Sequence, residues 1–529
     1  MTGPVLFPLL LALGCGVPAL AADAPTTWRR WELVLDGWPT GTAADITFSG
    51  PRGAILKVPA FESGGALRAR VAFPEAGDWR WQAKPAGAGS VSRSGRVMVS
   101  AYTGANPLYR HGFLRVSKNG RNLEHADGTP FLWMGDTAWF GLTRGADAEW
   151  SEYLDFRVRG RFSVIQVAAL GAWPKLLPAS VPIPRPFRPD GEPDDAYWDR
   201  IEARIAEANE RGLVVLLIGL ARPPQKADLP NVDRTEYARY VAARFFGDHV
   251  IFSPNFDQRY QPLFDRVAEN LRGFTTLHLI TQHPNTQNLQ NDIYVPKAYL
   301  GFTGLQSGHH EGDVNAAYTA AREWPARLRS LQPAKPVINI EAMYDGRGDN
   351  GGTAWREQDA RKLGWISWLS GALGYTYGAG ETARKVPGSA GGMWGFNQDP
   401  GAWDCWRKAV VWPSAAQMTV LRDFFASLEW WRLEPAPRRL HTGVASPERQ
   451  PLFALADNRS FGVAYLPASG ALTLDLGVFS KPVNAVWIDP LSGRRIRADE
   501  APNQDAREFT PPAGDHDWVL LLANRAGNR

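Results

Sequence analysis

Apolar and polar positions change their rhythm twice along this chain. From residue 24 to about 102 they alternate in the period of two that marks half-buried strands, as in Trp31-Glu-Leu-Val-Leu-Asp36, Asp45-Ile-Thr-Phe48 and Leu67-Arg-Ala-Arg-Val-Ala-Phe73. Gly and Pro turns divide these runs, and Pro74-Glu-Ala-Gly77-Asp-Trp79-Arg-Trp81 feeds a strand with aromatics on one face. The segment predicts a small β-sandwich, a docking or sugar-binding module. After Tyr102 short, wholly apolar runs alternate with longer stretches rich in Arg, Glu and Ala, the pattern of repeated βα units. Eight runs qualify as strands: Phe131–Gly135, Ser163–Val167, Leu213–Leu220, Val250–Pro254, Leu277–Thr281, Phe302–Leu305, Val337–Ile340 and Gly374–Tyr377. That number predicts a (β/α)8 barrel, with helices at Ala196–Arg211 and Asp233–Phe246 among its connections. The Pro-rich stretch from Gly171 to Asp195 is long for a βα loop and is expected to overhang the barrel mouth. A helix around Leu421–Trp431 closes the barrel. Alternation then returns in Phe461-Gly-Val-Ala-Tyr465, Val483-Asn-Ala-Val-Trp487 and Asp517-Trp-Val-Leu-Leu-Leu522, which predicts a second sandwich.

The fold class expected is therefore α/β, a TIM barrel flanked by two small all-β sandwiches. Its divisions are 1–22 as a signal peptide, 23–102, 103–432 for the barrel and 433–529. The leader reading rests on the apolar stretch Val5–Val17 and the Ala19-Leu20-Ala21 cleavage pattern, although no Lys or Arg precedes the run. It predicts export to the periplasm or beyond. Lipid attachment at Cys15 is the lesser alternative, because Ala12 stands where a larger aliphatic is usual. No other stretch is apolar enough over ~18 residues to span a bilayer. Beyond the leader Cys405 is the sole cysteine, so no internal disulfide can form and the cores must carry stability.

In a parallel barrel, groups that emerge where strands end are the ones that meet substrate. Lys335-Pro-Val-Ile-Asn-Ile-Glu341 is the clearest case, an apolar β-branched run that stops on a carboxylate. The other ends supply Asp136 and Trp139 after the first strand, Gln166 on the second and Asp257 after the fourth. His283 follows the fifth, Gln306 and His309 the sixth, and Tyr344 the seventh. Two carboxylates across a barrel mouth are what glycoside hydrolysis needs, one to protonate the leaving oxygen and one to attack the anomeric carbon or activate water. Asp257 and Glu341 are the best-placed pair; spacing along the chain cannot set their separation. Amides and imidazoles suit a polyhydroxy substrate, and 22 Trp against 14 Tyr suit stacking on sugar rings, with Trp139, Trp173 and Trp394 placed in the cleft. Competing structural roles exist: Asp136 as a cap, Gln166 as a clamp across the barrel mouth, Asp257 as a partner of Arg244 or Arg259. His283, His309 and His310 lack tight metal-ligand spacing, so no metal and no cofactor is expected.

Charge changes this picture little. A net charge of +4 on 529 residues, without a basic run, does not point to nucleic acid, and 44% hydrophobic with 21% charged residues is an ordinary globular balance.

Longer motifs carry a family likeness. Arg110-His111-Gly112-Phe113, Asp127-Gly128-Thr-Pro-Phe131-Leu-Trp-Met-Gly135-Asp136-Thr137-Ala-Trp139, Gln306-Ser-Gly-His309 and Lys335–Tyr344 resemble the apiosidase-like glycoside hydrolases, the barrel class around glycoside hydrolase family 140. Trp487-Ile-Asp489-Pro-Leu-Ser-Gly493 is similar to the C-terminal module labelled collagen-binding in such proteins. The resemblance implies an Asp after strand four and a Glu after strand seven as the catalytic carboxylates, which here are Asp257 and Glu341. It implies an oligo- or polysaccharide partner, apiose-bearing pectic side chains among them. An arabinofuranosidase, a β-glycanase or a non-catalytic carbohydrate-binding protein on the same scaffold stays open. Members usually carry Gly-Gly-Asp where this chain has Asn255-Phe256-Asp257, and a second Glu where it has Asp345. The first departure sets an amide and a bulky ring beside the acid and would reshape the sugar subsite.

Overall fold

A computed structural model describes residues 24–39, 41–85, 91–169, 185–221, 233–285, 291–308, 313–346, 355–380, 405–441, 445–498 and 501–524. The leader with Cys15, and the proposed site residues Trp173, His309 and Trp394, lie outside them.

Seven parallel strands form one sheet. In spatial order they are Val250–Ser253, Val214–Ile218, Val164–Ala168, Trp133–Thr137, Gly374–Tyr377, Val337–Glu341 and Thr303–Gln306. The ring closes through Ile280, which bridges in parallel to Phe252 on one side and Leu300 on the other. The fifth expected strand is thus reduced to a bridge, and eight stations surround the barrel. Each strand is buried on both faces, which is why its sequence reads as an unbroken apolar run.

Alternation along the strands separates two cores. Trp133, Val164, Leu216, Ile218, Ile251, Ile338 and Ile340 fill the barrel interior. Met134, Ile165, Val167, Val215, Leu217, Phe252, Tyr375 and Tyr377 face outward onto Trp150, Tyr153, Trp198 and Leu363 of the surrounding helices. A hairpin of Leu114–Val116 and Leu123–His125 stands where the strands begin, its Leu114 beside Val214, Val250 and Ile251, and closes that end of the barrel. The opposite, carboxyl-terminal end is left for chemistry.

Flanking sheets agree with two sandwiches. Before the barrel a three-stranded antiparallel sheet (Arg30–Leu35, Ala66–Ala72, Phe61–Ser63) faces a four-stranded one (Ile55–Pro59, Ala44–Ser49, Gly77–Pro85, Arg93–Val99) over a shared core containing Phe48, Phe73 and Trp79. Arg70 joins this unit to the barrel by pairing with Glu202 at 2.6 Å and donating to the Arg244 carbonyl at 3.0 Å. After the barrel a six-stranded sheet and a three-stranded sheet enclose Leu474, Trp487 and Trp518. Its Val463, Tyr465 and Val519 continue into the core around the helices Glu357–Leu369 and Pro413–Ala426. Arg361 and Asp517, both buried, form an ion pair at 2.7 Å across that junction, and Tyr465 donates to Asp517 at 2.7 Å. No helix among the described residues is long and apolar enough to cross a membrane.

Candidate active site

Glu341 is the last residue of the seventh strand. Strict alternation would aim it outward: Asn339, two residues earlier, hydrogen-bonds with Ser367 of a surrounding helix at 2.9 Å, and Ile340 points into the barrel. A register shift reverses this. Leu305 pairs with Asn339, but Gln306 pairs with Glu341, so Ile340 is an extra residue and the strand bulges. A bulge re-aims the side chain that follows it. The Glu341 carboxylate consequently enters the barrel mouth, where Gln306 Nε2 donates to Oε2 at 2.7 Å and the Tyr344 hydroxyl donates to Oε1. Trp139 Nε1 in turn donates to the Tyr344 oxygen at 2.8 Å. Glu341, Tyr344 and Trp139 are all buried. Trp139 therefore holds the tyrosine that holds the acid; it is not the open stacking platform that its position suggested.

Asp257 approaches from the end of the fourth strand. Its φ of +51° is in the left-handed region, which Asp tolerates better than most residues and which gathers at functional sites. Asn285 Nδ2 donates to the Asp257 carbonyl at 3.2 Å and helps to fix this turn. The side chain is 31% exposed, whereas that of Glu341 is 3% exposed, so Asp257 is the more open of the two acids. Arg244, a competing partner in sequence terms, is taken by Asp199 and Glu202.

His283 lies between the two acids and is fully buried. Its Nδ1 is 3.4 Å from Asp257 Oδ1 and its Nε2 is 3.2 Å from Glu341 Oε2. These are ion-pair distances; neither nitrogen has a partner in hydrogen-bond alignment. Burial pushes the imidazole down, but the two facing carboxylates outweigh it and hold it at about 9. The residues Asn255 and Phe256 explain the ring's placement. Asn255 Nδ2 donates to the His283 carbonyl at 2.8 Å while its Oδ1 accepts the His283 N–H at 3.0 Å. Phe256 packs on the imidazole with ring centres 5.2 Å apart and on Trp139 at 4.7 Å. The strand-four departure thus builds the wall around His283.

One atom each from Asp257, His283 and Glu341 lie within 4.8 Å of one another, a spread that could hold a cation. The imidazole, however, turns a different nitrogen to each acid, and two nitrogens on opposite ring edges cannot bind one ion together. An imidazolium between two carboxylates fits the geometry better.

Two further candidates take structural places. Asp136 shares the outward phase of Met134, so its carboxylate meets the helix Asp147–Arg159. There Arg157 Nε pairs with it at 2.6 Å and the Tyr153 hydroxyl donates to it, leaving the group fully buried behind the strand and away from the mouth. Gln166 points inward but spends Nε2 on the Ile340 carbonyl across the barrel, the clamp role. His283 follows the fifth strand as the sequence indicates, but nothing in the sequence places it between the two acids. Asp345 turns to the rear, accepting from Ser414, and its burial pushes it up to about 6.

Comparison with known proteins gives the family and the fold. The model of the family "Apiosidase-like, catalytic domain" matches residues 117–432, and the model "Putative collagen-binding domain of a collagenase" matches residues 442–523. Among curated proteins none matches the chain. A solved structure described as a glycoside hydrolase superposes with a TM-score of 0.67 at 22% identity, covering 79% of this chain and 98% of its own. A glycoside hydrolase family 5 structure from Bacteroides vulgatus ATCC 8482 gives 0.67 at 22% identity, with coverage of 79% and 94%. A third, from the same bacterium, gives 0.69 at 17% identity and covers 95% of this chain and 99% of its own, so the likeness extends over nearly the whole chain. At these identities the likeness speaks for the fold.

Proposed function

This chain belongs to the apiosidase-like glycoside hydrolase family, and from that premise we propose that it is an exported retaining glycosidase in which Glu341 is the nucleophile and Asp257 the acid/base. One observation carries the reading: the nearest oxygens of the two carboxylates lie within 4.8 Å at the ends of strands four and seven. Retaining pairs stand ~5–5.5 Å apart, whereas inverting pairs need ~6.5–9.5 Å to admit a water. Glu341, buried and oriented by Gln306 and Tyr344, suits attack on the anomeric carbon. Asp257, open to the cleft, suits delivery of a proton to the departing oxygen and its recovery from water in the second step. The substrate class is a polysaccharide, with pectic side chains first among those to try, because the family's name and the polar strand ends both favour a hydroxyl-rich ligand.

The test is hydrolysis of a pectic and hemicellulosic glycan panel by wild type, Asp257→Asn and Glu341→Gln, with the anomer released first read by NMR. Wild type should release sugar with retained configuration, and each variant should lose at least about a thousandfold in kcat. Variants as active as wild type would remove both residues from catalysis, and an inverted product would change the role of Glu341.

A further inference from the structure

Four buried histidines stand among the described residues, and three of them share one environment. His125 Nδ1 meets the Gly112 carbonyl at 2.8 Å, His249 Nε2 the Trp28 carbonyl at 2.9 Å, and His278 Nε2 the Asp248 carbonyl at 3.0 Å. Those are the contacts of neutral rings serving as packing groups with one N–H to satisfy, and burial pushes His249 down to about 3 and His278 to about 4. His283 breaks the pattern. Its backbone is the part that is satisfied, through Asn255, while both ring nitrogens are buried, aligned with no hydrogen-bond partner, and turned to opposite carboxylates at 3.4 and 3.2 Å.

Resting on the glycosidase reading above, we propose that His283 is a positioning residue that bridges the two carboxylates as an imidazolium and stores the proton that Asp257 passes to the leaving oxygen. Among the described residues, the charged and titratable groups facing the ring are Asp257 from the strand-four loop and Glu341 from strand seven, with the Tyr344 hydroxyl behind Glu341; Trp139 and Phe256 supply ring contacts. Protons balance as follows. When a sugar enters past Asp257, the Nδ1 proton moves to Asp257 Oδ1, which gives a neutral imidazole and a neutral acid. Asp257 then protonates the glycosidic oxygen as the C–O bond breaks and Glu341 bonds to the anomeric carbon. In the second step water attacks that carbon, Glu341 leaves, and the proton taken up by Asp257 returns to Nδ1. Throughout, Nε2–H stays on the Glu341 side and favours the ionised nucleophile between turnovers. The cationic ring held at about 9 is consistent with this store staying filled at neutral pH.

The experiment uses the full chain labelled with 15N-histidine. Ring nitrogen spectra should show a buried histidine doubly protonated at pH 7.5, absent from His283→Asn and titrating at least one pH unit lower in Asp257→Asn. On the glycan that wild type cleaves, His283→Asn should bring the alkaline limb of the kcat/KM profile at least one unit lower, a shift that a packing role would not produce. A neutral ring at pH 7.5 in wild type overturns the proposal without needing any variant to fold. A superimposable His283→Asn profile overturns it as well, as does tight Zn2+ binding that His283→Asn abolishes. Full activity in Asp257→Asn and Glu341→Gln would instead defeat the glycosidase reading, whereas inactive carboxylate variants with an unshifted His283→Asn profile defeat the histidine proposal alone.

Discussion

Replacing Tyr344 by Phe removes one oxygen and leaves the ring in place, yet that oxygen serves two buried groups. It accepts from Trp139 Nε1 at 2.8 Å and donates to Glu341 Oε1. Losing the acceptor strands an indole N–H in a position only 4% exposed, which costs about 1–3 kcal/mol of stability. Losing the donor frees one side of the carboxylate. A hydrogen bond to a charged group is worth about 1.5–3 kcal/mol, and if this orientation is needed at the moment of attack, kcat falls about 10- to 150-fold. KM should change little, since the hydroxyl faces Glu341 and the indole and is itself buried. Steady-state kinetics of Tyr344→Phe against pH, with a urea melt to correct for stability, measures all of this. A variant that keeps kcat within twofold and melts like wild type would show that the Trp139–Tyr344–Glu341 chain does not orient the nucleophile.

Three other outcomes follow from buried charge. Asp517→Ala should lose about 3–5 kcal/mol by leaving Arg361 unpaired in the barrel–sandwich junction, and Arg361→Met with Asp517→Leu should recover most of it; equal urea midpoints for wild type and Asp517→Ala would refute this. Asp345 has a folded-state value raised from 3.8 to about 6, so its ionisation costs stability as pH rises through that window, up to about 3 kcal/mol at pH 7 and little near pH 4. Asp345→Asn should therefore outlast wild type in urea at pH 7 and match it near pH 4, and a variant less stable at pH 7 contradicts the sign. Asp136→Asn should lower stability by about 3 kcal/mol through loss of the charged partner of buried Arg157 while KM stays unchanged; a raised KM with an intact melt would return Asp136 to the substrate side.

The architecture is legible in residue type alone. Eight apolar runs at barrel spacing, and β alternation on either side, follow from burial on two faces or one, and burial is written in residue type. Residue type also marks Asp257 and Glu341 as groups near strand ends, because a charge that closes an apolar run most readily sits where the run emerges. What it could not determine was the phase of each strand. Met134 and Trp133 are both apolar because both faces are buried, so nothing in the run says that Asp136 looks out at Arg157 while Gln166 looks in. For the same reason Glu341 would be assigned outward by counting from Asn339, and only the bulge at Ile340 turns it to the mouth. His283 and Asp257 are separated along the chain and meet through the Asn255 side chain and the closing bridge at Ile280. Side-chain phase and the meeting of distant strand ends are properties of register and closure, and these exist only once the barrel has formed.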